Sequence, residues 1–141
     1  MQLALTDRRA RFERWSAAVQ LVGTVLFNVS TGAAVWAHAV LAERRYVWVP
    51  DVTGSLFFLV SGALAMVAVS AAAGRLNLRS RGWLTAAVNM IGCVAFGVSA
   101  VAAFVRPTGV TADEVLANAG TFVGAICFLV AALIELPRKS R

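Results

Sequence analysis

The sequence predicts an all-α, polytopic membrane protein with four transmembrane helices. Of its 141 residues, 60% are hydrophobic and only 14% are charged, whereas soluble domains are about half apolar and a quarter charged. Four long stretches contain almost no acidic or basic residue, and the charges are concentrated between them. A soluble core helix would carry polar residues every third or fourth position, and these stretches lack that pattern.

Each stretch has the length that a membrane-spanning helix requires. A hydrocarbon core of about 30 Å takes roughly 20 residues of helix to cross. The predicted spans cover about residues 16–40, 52–73, 83–105 and 119–136. They form one transmembrane domain over residues 16–137, between a basic juxtamembrane segment at 1–15 and a basic tail at 138–141.

The net charge of +6 is divided unevenly between the two sides of this domain. Only Arg44, Arg45 and Arg106 lie on one side. The other ten basic residues lie before span one, between spans two and three, or after span four: Arg8, Arg9, Arg11, Arg14, Arg75, Arg79, Arg81, Arg138, Lys139 and Arg141. The positive-inside rule therefore predicts a bacterial inner-membrane protein with both termini in the cytoplasm. The predicted partner is the lipid bilayer and not nucleic acid, which needs a folded basic surface.

The connections between the spans are short. We expect "ERRYVWVPD" (43–51) to lie outside, with Tyr46 and Trp48 in the aromatic belt and Pro50 in a first helical turn. "GRLNLRSRG" (74–82) is a basic inner turn. In the longest outer connection, Thr111 and Glu114 have the spacing of a capping box before span four.

The first and third spans are nearly the same sequence. Residues 17–34 and 86–103 are identical at ten of eighteen positions, at an offset of 69 residues. Spans two and four match at four positions, from Gly54 with Gly124 to Val60 with Val130, at an offset of 70. The matching offsets indicate a duplicated two-helix hairpin. Because each copy contains two spans, both copies have the same orientation in the membrane.

A pattern of G-x3-F-x-V-[S/A] recurs in all four spans. Positions 0, +4 and +7 fall on one stripe of a helix, and small residues on such a stripe let transmembrane helices approach closely. We therefore interpret these residues as helix-packing positions. Together with the small-xxx-small pair in span four, they are Gly23, Phe27, Ser30, Gly54, Phe58, Ser61, Gly92, Phe96, Ser99, Gly120, Gly124 and Phe128.

Eight other residues are candidates for a polar or functional role. Asp51 and Glu135 lie at span ends, where we expect ion pairs with Arg44 or Arg45 and with Arg138 or Lys139. Intramembrane polar residues most often bond neighbouring helices, and lone buried cysteines are usually packing residues. The eight are Gln20, Asn28, His38, Asp51, Asn89, Cys93, Cys127 and Glu135.

One family resemblance is carried by "GSLFFLVSGAL" (54–64) and the "WVPD" just before it. These residues resemble the YrhK-like family of small bacterial membrane proteins. Two copies of that hairpin would cover about residues 15–136. The resemblance implies a membrane hairpin fold and no particular chemistry.

Three functions remain open from the sequence. The first is a non-enzymatic packing or accessory subunit of a homo-oligomer or a larger membrane complex, because every helix carries a small-residue stripe. The second is a small oligomeric channel or transporter, in which Gln20, Asn28 and Asn89 would face a common pore. The third is a redox or quinone-linked protein using His38, Cys93 and Cys127. The sequence contains no C-x-x-C pair and a single histidine, so we predict no catalytic residue, metal or cofactor.

Overall fold

The chain folds into five α-helices and one π-helical segment over the residues that the structure, a computed structural model, describes, namely 2–73 and 80–136. The helices are α1 (Gln2–Ala33), α2 (Val40–Ala42), α3 (Val49–Ala73), α4 (Arg81–Ala102) and α5 (Glu114–Glu135), with the π-helical segment at Glu43–Trp48. Four stretches are long and apolar enough to cross a membrane: Thr6–Ala33, Val40–Ala71, Arg81–Ala102 and Glu114–Glu135. The prediction of an all-α chain with four helices able to span a membrane is confirmed. The predicted tail at 138–141 and residues 74–79 of the predicted inner turn lie outside the described residues.

The first connection lies earlier in the chain than predicted. The helix α1 ends at Ala33, seven residues before the expected end of span one, and residues 34–39 form the connection. The predicted outer loop at 43–51 is helical, because α2, the π-helical segment and α3 follow one another without a break. Charged side chains near a membrane surface do not require the backbone to leave the helix, since its hydrogen bonds are satisfied within the segment.

Pro50 gives a physical reason for the π-helical segment that precedes it. In a regular α-helix the proline ring would clash with the carbonyl group four residues earlier, and a π-helical turn widens the backbone there. Side chains hold this segment in place: Arg44 Nε donates to the carbonyl oxygen of Val105 at 2.6 Å, and Trp48 Nε1 donates to that of Ala100 at 2.9 Å. Trp48 therefore packs inward rather than in the predicted aromatic belt.

The ends of the later helices follow from side-chain caps. Ser80 accepts a hydrogen bond from the backbone N–H of Trp83 at 3.1 Å at the start of α4. At the start of α5 the cap is Asp113, which accepts from the N–H of Leu116 at 2.9 Å. The predicted capping role of Thr111 is wrong, because Thr111 forms an antiparallel bridge with Val105 in the preceding loop. The aspartate two positions later is the better placed acceptor.

The spans pack in a curved row. The helix α1 packs on α3, α3 on α4, and α4 on α5, whereas α1 and α5 are not packed against each other. We name the end at which α1 and α4 begin the basic end, and the end with the connections 34–39 and 103–113 the loop end. The row therefore leaves a cleft between its first and last helices.

Three of the four glycines of the recurring pattern receive a phenylalanine ring from the partner helix, and the fourth, Gly54, faces the backbone of α1. A Cβ atom on Gly23 would lie 2.8 Å from the ring of Phe58, and one on Gly92 would lie 2.8 Å from the ring of Phe128. A Cβ atom on Gly124 would lie 2.6 Å from the ring of Phe96. The small-residue stripes are thus occupied within the chain, where the close helix approach needs the missing side chains.

The four phenylalanines of the pattern meet in the centre of the bundle. Phe58 and Phe96 are buried, and their ring centroids are 5.3 Å apart. Phe27 lies 5.2 Å from Phe96, and Phe128 lies 5.2 Å from Phe58, both in edge-to-face geometry. Such pairs add about 0.5–1.5 kcal/mol each beyond their buried area. This aromatic cluster joins the hairpin of α1 and α3 to the hairpin of α4 and α5.

We expect Gly120→Ala to destabilise the bundle. The new Cβ atom would lie 2.9 Å from the carbonyl oxygen of Ala95 and 2.8 Å from Cβ of Ser99, and neither atom belongs to a flexible side-chain end. Overpacking costs about 1–3 kcal/mol, more than the gain in helix propensity of about 1 kcal/mol. The midpoint of unfolding in mixed detergent micelles should fall.

The matched control is Gly32→Ala in α1, where nothing lies within 4 Å of the added Cβ atom. Its midpoint should stay the same or rise. Equal midpoints for the two variants would contradict the close approach of α4 and α5.

Candidate functional site

Polar side chains from three helices form a network on the interior side of α1. The Ser61 hydroxyl lies 2.7 Å from Gln20 Oε1 and 2.8 Å from the carbonyl oxygen of Ser16, so it can donate to either one. The Ser16 hydroxyl donates to the carbonyl oxygen of Ser61 at 2.9 Å. Gln20 Nε2 lies 3.5 Å from Asn89 Oδ1 on α4, and Asn89 Nδ2 lies 3.7 Å from the Cys93 sulfur. The first contacts are ordinary hydrogen bonds, and the last two are long and weak.

This network borders a cavity of about 730 Å³ in the cleft between α1 and α5. Neutral polar side chains line its deeper part, and charged ones lie toward the basic end. Alanines, Val69 and Phe128 provide apolar walls. The polar and charged residues around the cavity are Arg9, Glu13, Ser16, Gln20, Thr85, Asn89 and Glu135.

The charges near the cavity are only partly paired. Arg9 Nε and Glu13 Oε1 are 2.7 Å apart, but both side chains are about half exposed, at 46% and 49%, so their ion pair contributes little to stability. Glu135 is exposed and forms no ion pair within the described residues. Its predicted partners Arg138 and Lys139 lie outside those residues.

Thr85 differs from threonines of other helices. The Thr85 hydroxyl oxygen is buried and has no hydrogen-bond partner among the described residues. In contrast, Thr24, Thr31 and Thr53 each donate to the carbonyl oxygen four residues earlier in their helix. A buried hydroxyl without a partner costs about 1–3 kcal/mol. The cavity wall therefore contains one polar group that the fold does not satisfy.

The arrangement is suited to holding a small polar molecule or ordered water. The cavity offers hydrogen-bond donors and acceptors from Ser16, Gln20 and Asn89 beside apolar walls, a combination typical of small-molecule sites. Among residues 2–73 and 80–136, no three histidine, cysteine, aspartate or glutamate side chains lie together as a metal site would require.

The structure brings together two of the three residues predicted to face a common pore. Gln20 and Asn89 are neighbours, but within one chain Asn28 lies on a different, exposed face of α1. There Asn28 Nδ2 donates to the carbonyl oxygen of Thr24 at 2.8 Å. With Thr24 and Thr31, Asn28 forms a polar stripe on the outside of the bundle.

The remaining predicted residues lie apart from the cavity. His38 is exposed in the connection 34–39, and Asp51 lies in the first turn of α3. The predicted ion pair between Asp51 and Arg44 or Arg45 is not formed, because both ion pairs among the described residues are within α1. Cys93 is fully buried and Cys127 is half-buried, and both are free thiols.

Sequence reasoning missed Ser16 and Thr85. A signal was present, because these two residues are separated by 69 positions, the same offset that relates Gln20 to Asn89. Ser16 bonds to Ser61, whereas the position equivalent to Ser61 in the second hairpin is Ala131. The absence of a second hydroxyl at Ala131 accounts for the unpartnered Thr85.

We expect Ser61→Ala to cost about 1 kcal/mol of folding free energy, because it leaves polar atoms of Ser16 and Gln20 without their partner. The unfolding midpoint in mixed micelles measures this loss. Ser70→Ala is the control, since Ser70 lies on the same helix and forms no hydrogen bond in the described part of the chain. A loss of equal size in both variants would show that the network contributes nothing specific.

Comparison with models of protein families, with curated proteins and with solved structures finds no match for this chain. The resemblance to the YrhK-like family therefore stays a prediction.

Proposed function

We propose that this chain is a non-enzymatic subunit of the bacterial inner membrane that forms a parallel homodimer through the exposed face of α1. The observation that carries the proposal is the exposed side chain of Asn28 within the apolar stretch of α1. The small-residue stripes do not support it, because phenylalanines of the same chain occupy them. The dimerisation face consists of Leu21, Thr24, Asn28 and Thr31, which we call the α1 seam.

The side chain of Asn28 has an unfavourable free energy at this position in the membrane, because part of its hydrogen-bonding capacity is unsatisfied. One of its N–H groups bonds to the carbonyl oxygen of Thr24, while the other N–H and the Oδ1 atom have no partner within the described residues. Hydrocarbon offers no water to satisfy them. A second Asn28 across a two-fold axis can accept from the free N–H and donate to the free oxygen, so the carboxamide is complementary to itself.

The spacing of the α1 seam is that of a coiled coil. Its four residues are separated by three, four and three positions, as at the a and d positions of a heptad. Leu21 is 64% exposed, so the seam is not covered by the chain's own helices. A single asparagine at an a position specifies register and oligomeric state, and small threonines permit close approach.

The orientation of the dimer follows from the topology that we infer. The bias of basic residues toward the basic end supports cytoplasmic termini. Every copy then has the same direction, so two α1 helices meet in parallel. Matched contacts in the two hairpins support the proposed duplication: Ser30 donates to the carbonyl oxygen of Val47 at 2.8 Å, and Ser99 to that of Ala117 at 2.6 Å.

We expect Asn28→Leu to weaken the dimer. Losing an interhelical hydrogen bond within a membrane costs about 1 kcal/mol, which corresponds to about a fivefold higher dissociation constant. Analytical ultracentrifugation in detergent, over a range of protein-to-detergent ratios, measures this constant. Asn118→Leu on α5 is the control, because Asn118 is an equally exposed asparagine outside the α1 seam.

Cross-linking tests the same interface in native membranes. In a chain carrying Cys93→Ala and Cys127→Ala, Thr24→Cys should form disulfide-linked dimers on mild oxidation. Val29→Cys should not, because Val29 is 54% exposed but occupies a b position of the heptad, away from the a and d positions of the α1 seam. Monomers alone, or equal cross-linking at the two positions, would refute the parallel seam.

A second candidate function, a small transporter or channel, is favoured by the cavity between α1 and α5. Its polar lining reaches from the charged residues of the basic end to Gln20 and Asn89. Beyond these residues toward the loop end lies the aromatic cluster, which contains the buried rings of Phe58 and Phe96. Such a path would be open to one side and closed at the centre of the bundle.

This candidate predicts a water-filled cavity. In a chain without its two native cysteines, Ala132→Cys should react with a charged, membrane-impermeant thiol reagent applied from the basic end, because Ala132 lines the cavity. Leu133→Cys should not react, because Leu133 lies outside the cavity and its side chain, 55% exposed, would face lipid. Equal protection of both thiols would mean that lipid chains fill the cleft and that no aqueous path exists there.

A further inference from the structure

Arg44 carries a charge that forms no ion pair within residues 2–73 and 80–136. Its guanidinium group lies at the loop end, 4.9 Å from the centre of the Phe104 ring, and its Nε donates to the carbonyl oxygen of Val105. The Nη2 atom is buried without a hydrogen-bond partner. These contacts hold the guanidinium in one place and leave part of its hydrogen-bonding capacity unused.

No carboxylate of the described residues forms an ion pair with Arg44. The two acidic residues nearest in sequence are Glu43 and Asp51, yet the ion pairs among the described residues are Arg9 with Glu13 and Arg11 with Asp7. Arginine keeps its proton in proteins. A partly buried, unpaired charge is unfavourable unless it finds a counter-ion, so an anion bound from outside the chain would stabilise this part of the fold.

A cavity of about 550 Å³ lies beside this group. Arg45 and Tyr46 line it together with Arg44, so two basic residues and a tyrosine share the same cavity. Leu41 and Val49 extend the lining, and they are 82% and 47% exposed. The cavity thus combines a cationic part with an apolar rim that faces the surroundings.

The geometry points to an anion site at the loop end, in which Arg44 and Arg45 bind the oxygens of a phosphate ester or a free phosphate. The planar guanidinium group matches phosphate oxygens through paired N–H donors. The exposed apolar rim favours a phosphate that carries acyl chains, because such chains can pack against Leu41 and Val49. The π-helical segment is what places two consecutive arginines at one cavity.

The test is lipid binding by the purified, delipidated chain. Native mass spectrometry with added phosphatidylglycerol or phosphatidylcholine gives an apparent dissociation constant for each lipid. We expect preferential binding of phosphatidylglycerol, weakened about tenfold by Arg44→Gln. Arg106→Gln should bind as the unmodified chain does, because Arg106 is an exposed arginine of the same end and does not line the cavity.

A second variant and a second ligand complete the test. Arg45→Gln keeps the bond between Arg44 and Val105, so it tests the site without loss of that contact, and we expect weaker phosphatidylglycerol binding. Adding inorganic phosphate and measuring the thermal midpoint of unfolding distinguishes a free phosphate from a lipid headgroup. A higher midpoint at millimolar phosphate supports a soluble ligand. An unchanged midpoint together with lipid binding supports a headgroup. Equal affinity for both lipids together with no response to phosphate overturns the site, and so does unchanged binding by both arginine variants.

Discussion

The close approach of helices at glycine is the constraint on which this bundle depends. Lipid tails are as apolar as the helix surfaces, so burial alone does not drive these helices together. Contact must come from shape, and Gly23 and Gly92 supply it by accepting the rings of Phe58 and Phe128. Because Phe58 also touches Phe96 of the other hairpin, the packing within a hairpin and the packing between hairpins use the same side chains.

The two pairs of helices that could join the hairpins are not equivalent. The helices α3 and α4 are packed together, while α1 and α5 are separated by the cleft. Burial reflects this difference. In an 18-residue stretch of each span, 33% of the residues are buried in the second and third spans, against 17% in the first and 11% in the fourth. The polar features lie on the less packed side of the bundle, since the cavity lies in the cleft and the stripe around Asn28 lies on α1.

Much of this fold can be predicted from the sequence, because the backbone hydrogen bonds of a transmembrane helix are local and charges mark its ends. The placement of the small residues on one face of each helix was also predictable from their spacing, whereas the direction in which that face points was not. The end of α1 at Ala33 was not. No proline follows it, and the charged "ERRYVW" looks like a loop until Arg44 and Trp48 are seen bonded to carbonyl groups more than 50 residues away.

The candidate site was less accessible to sequence reasoning. Gln20 and Asn89 occupy equivalent positions of the two similar spans, so their meeting could be anticipated from the offset. The cavity beside them could not, because it depends on a contact that α1 and α5 fail to make. Asn28 illustrates the same limit: its depth is a property of the sequence, but whether it faces inward or outward is decided by the packing angle of α1 on α3.

The π-helical segment also has a consequence for chain length. A π-helical turn bonds residue i to i+5 and so contains one residue more than the α-helical turn it replaces. Removing one residue of 46–48, after the two arginines, would remove the extra residue of that turn, and the ring of Pro50 would then meet the carbonyl group four residues earlier. Everything before the deletion would then rotate by about 100° around the helix axis, turning the arginines away from Phe104 and Val105. In this segment the number of residues, rather than the identity of any side chain, thus determines which residues face the neighbouring helices.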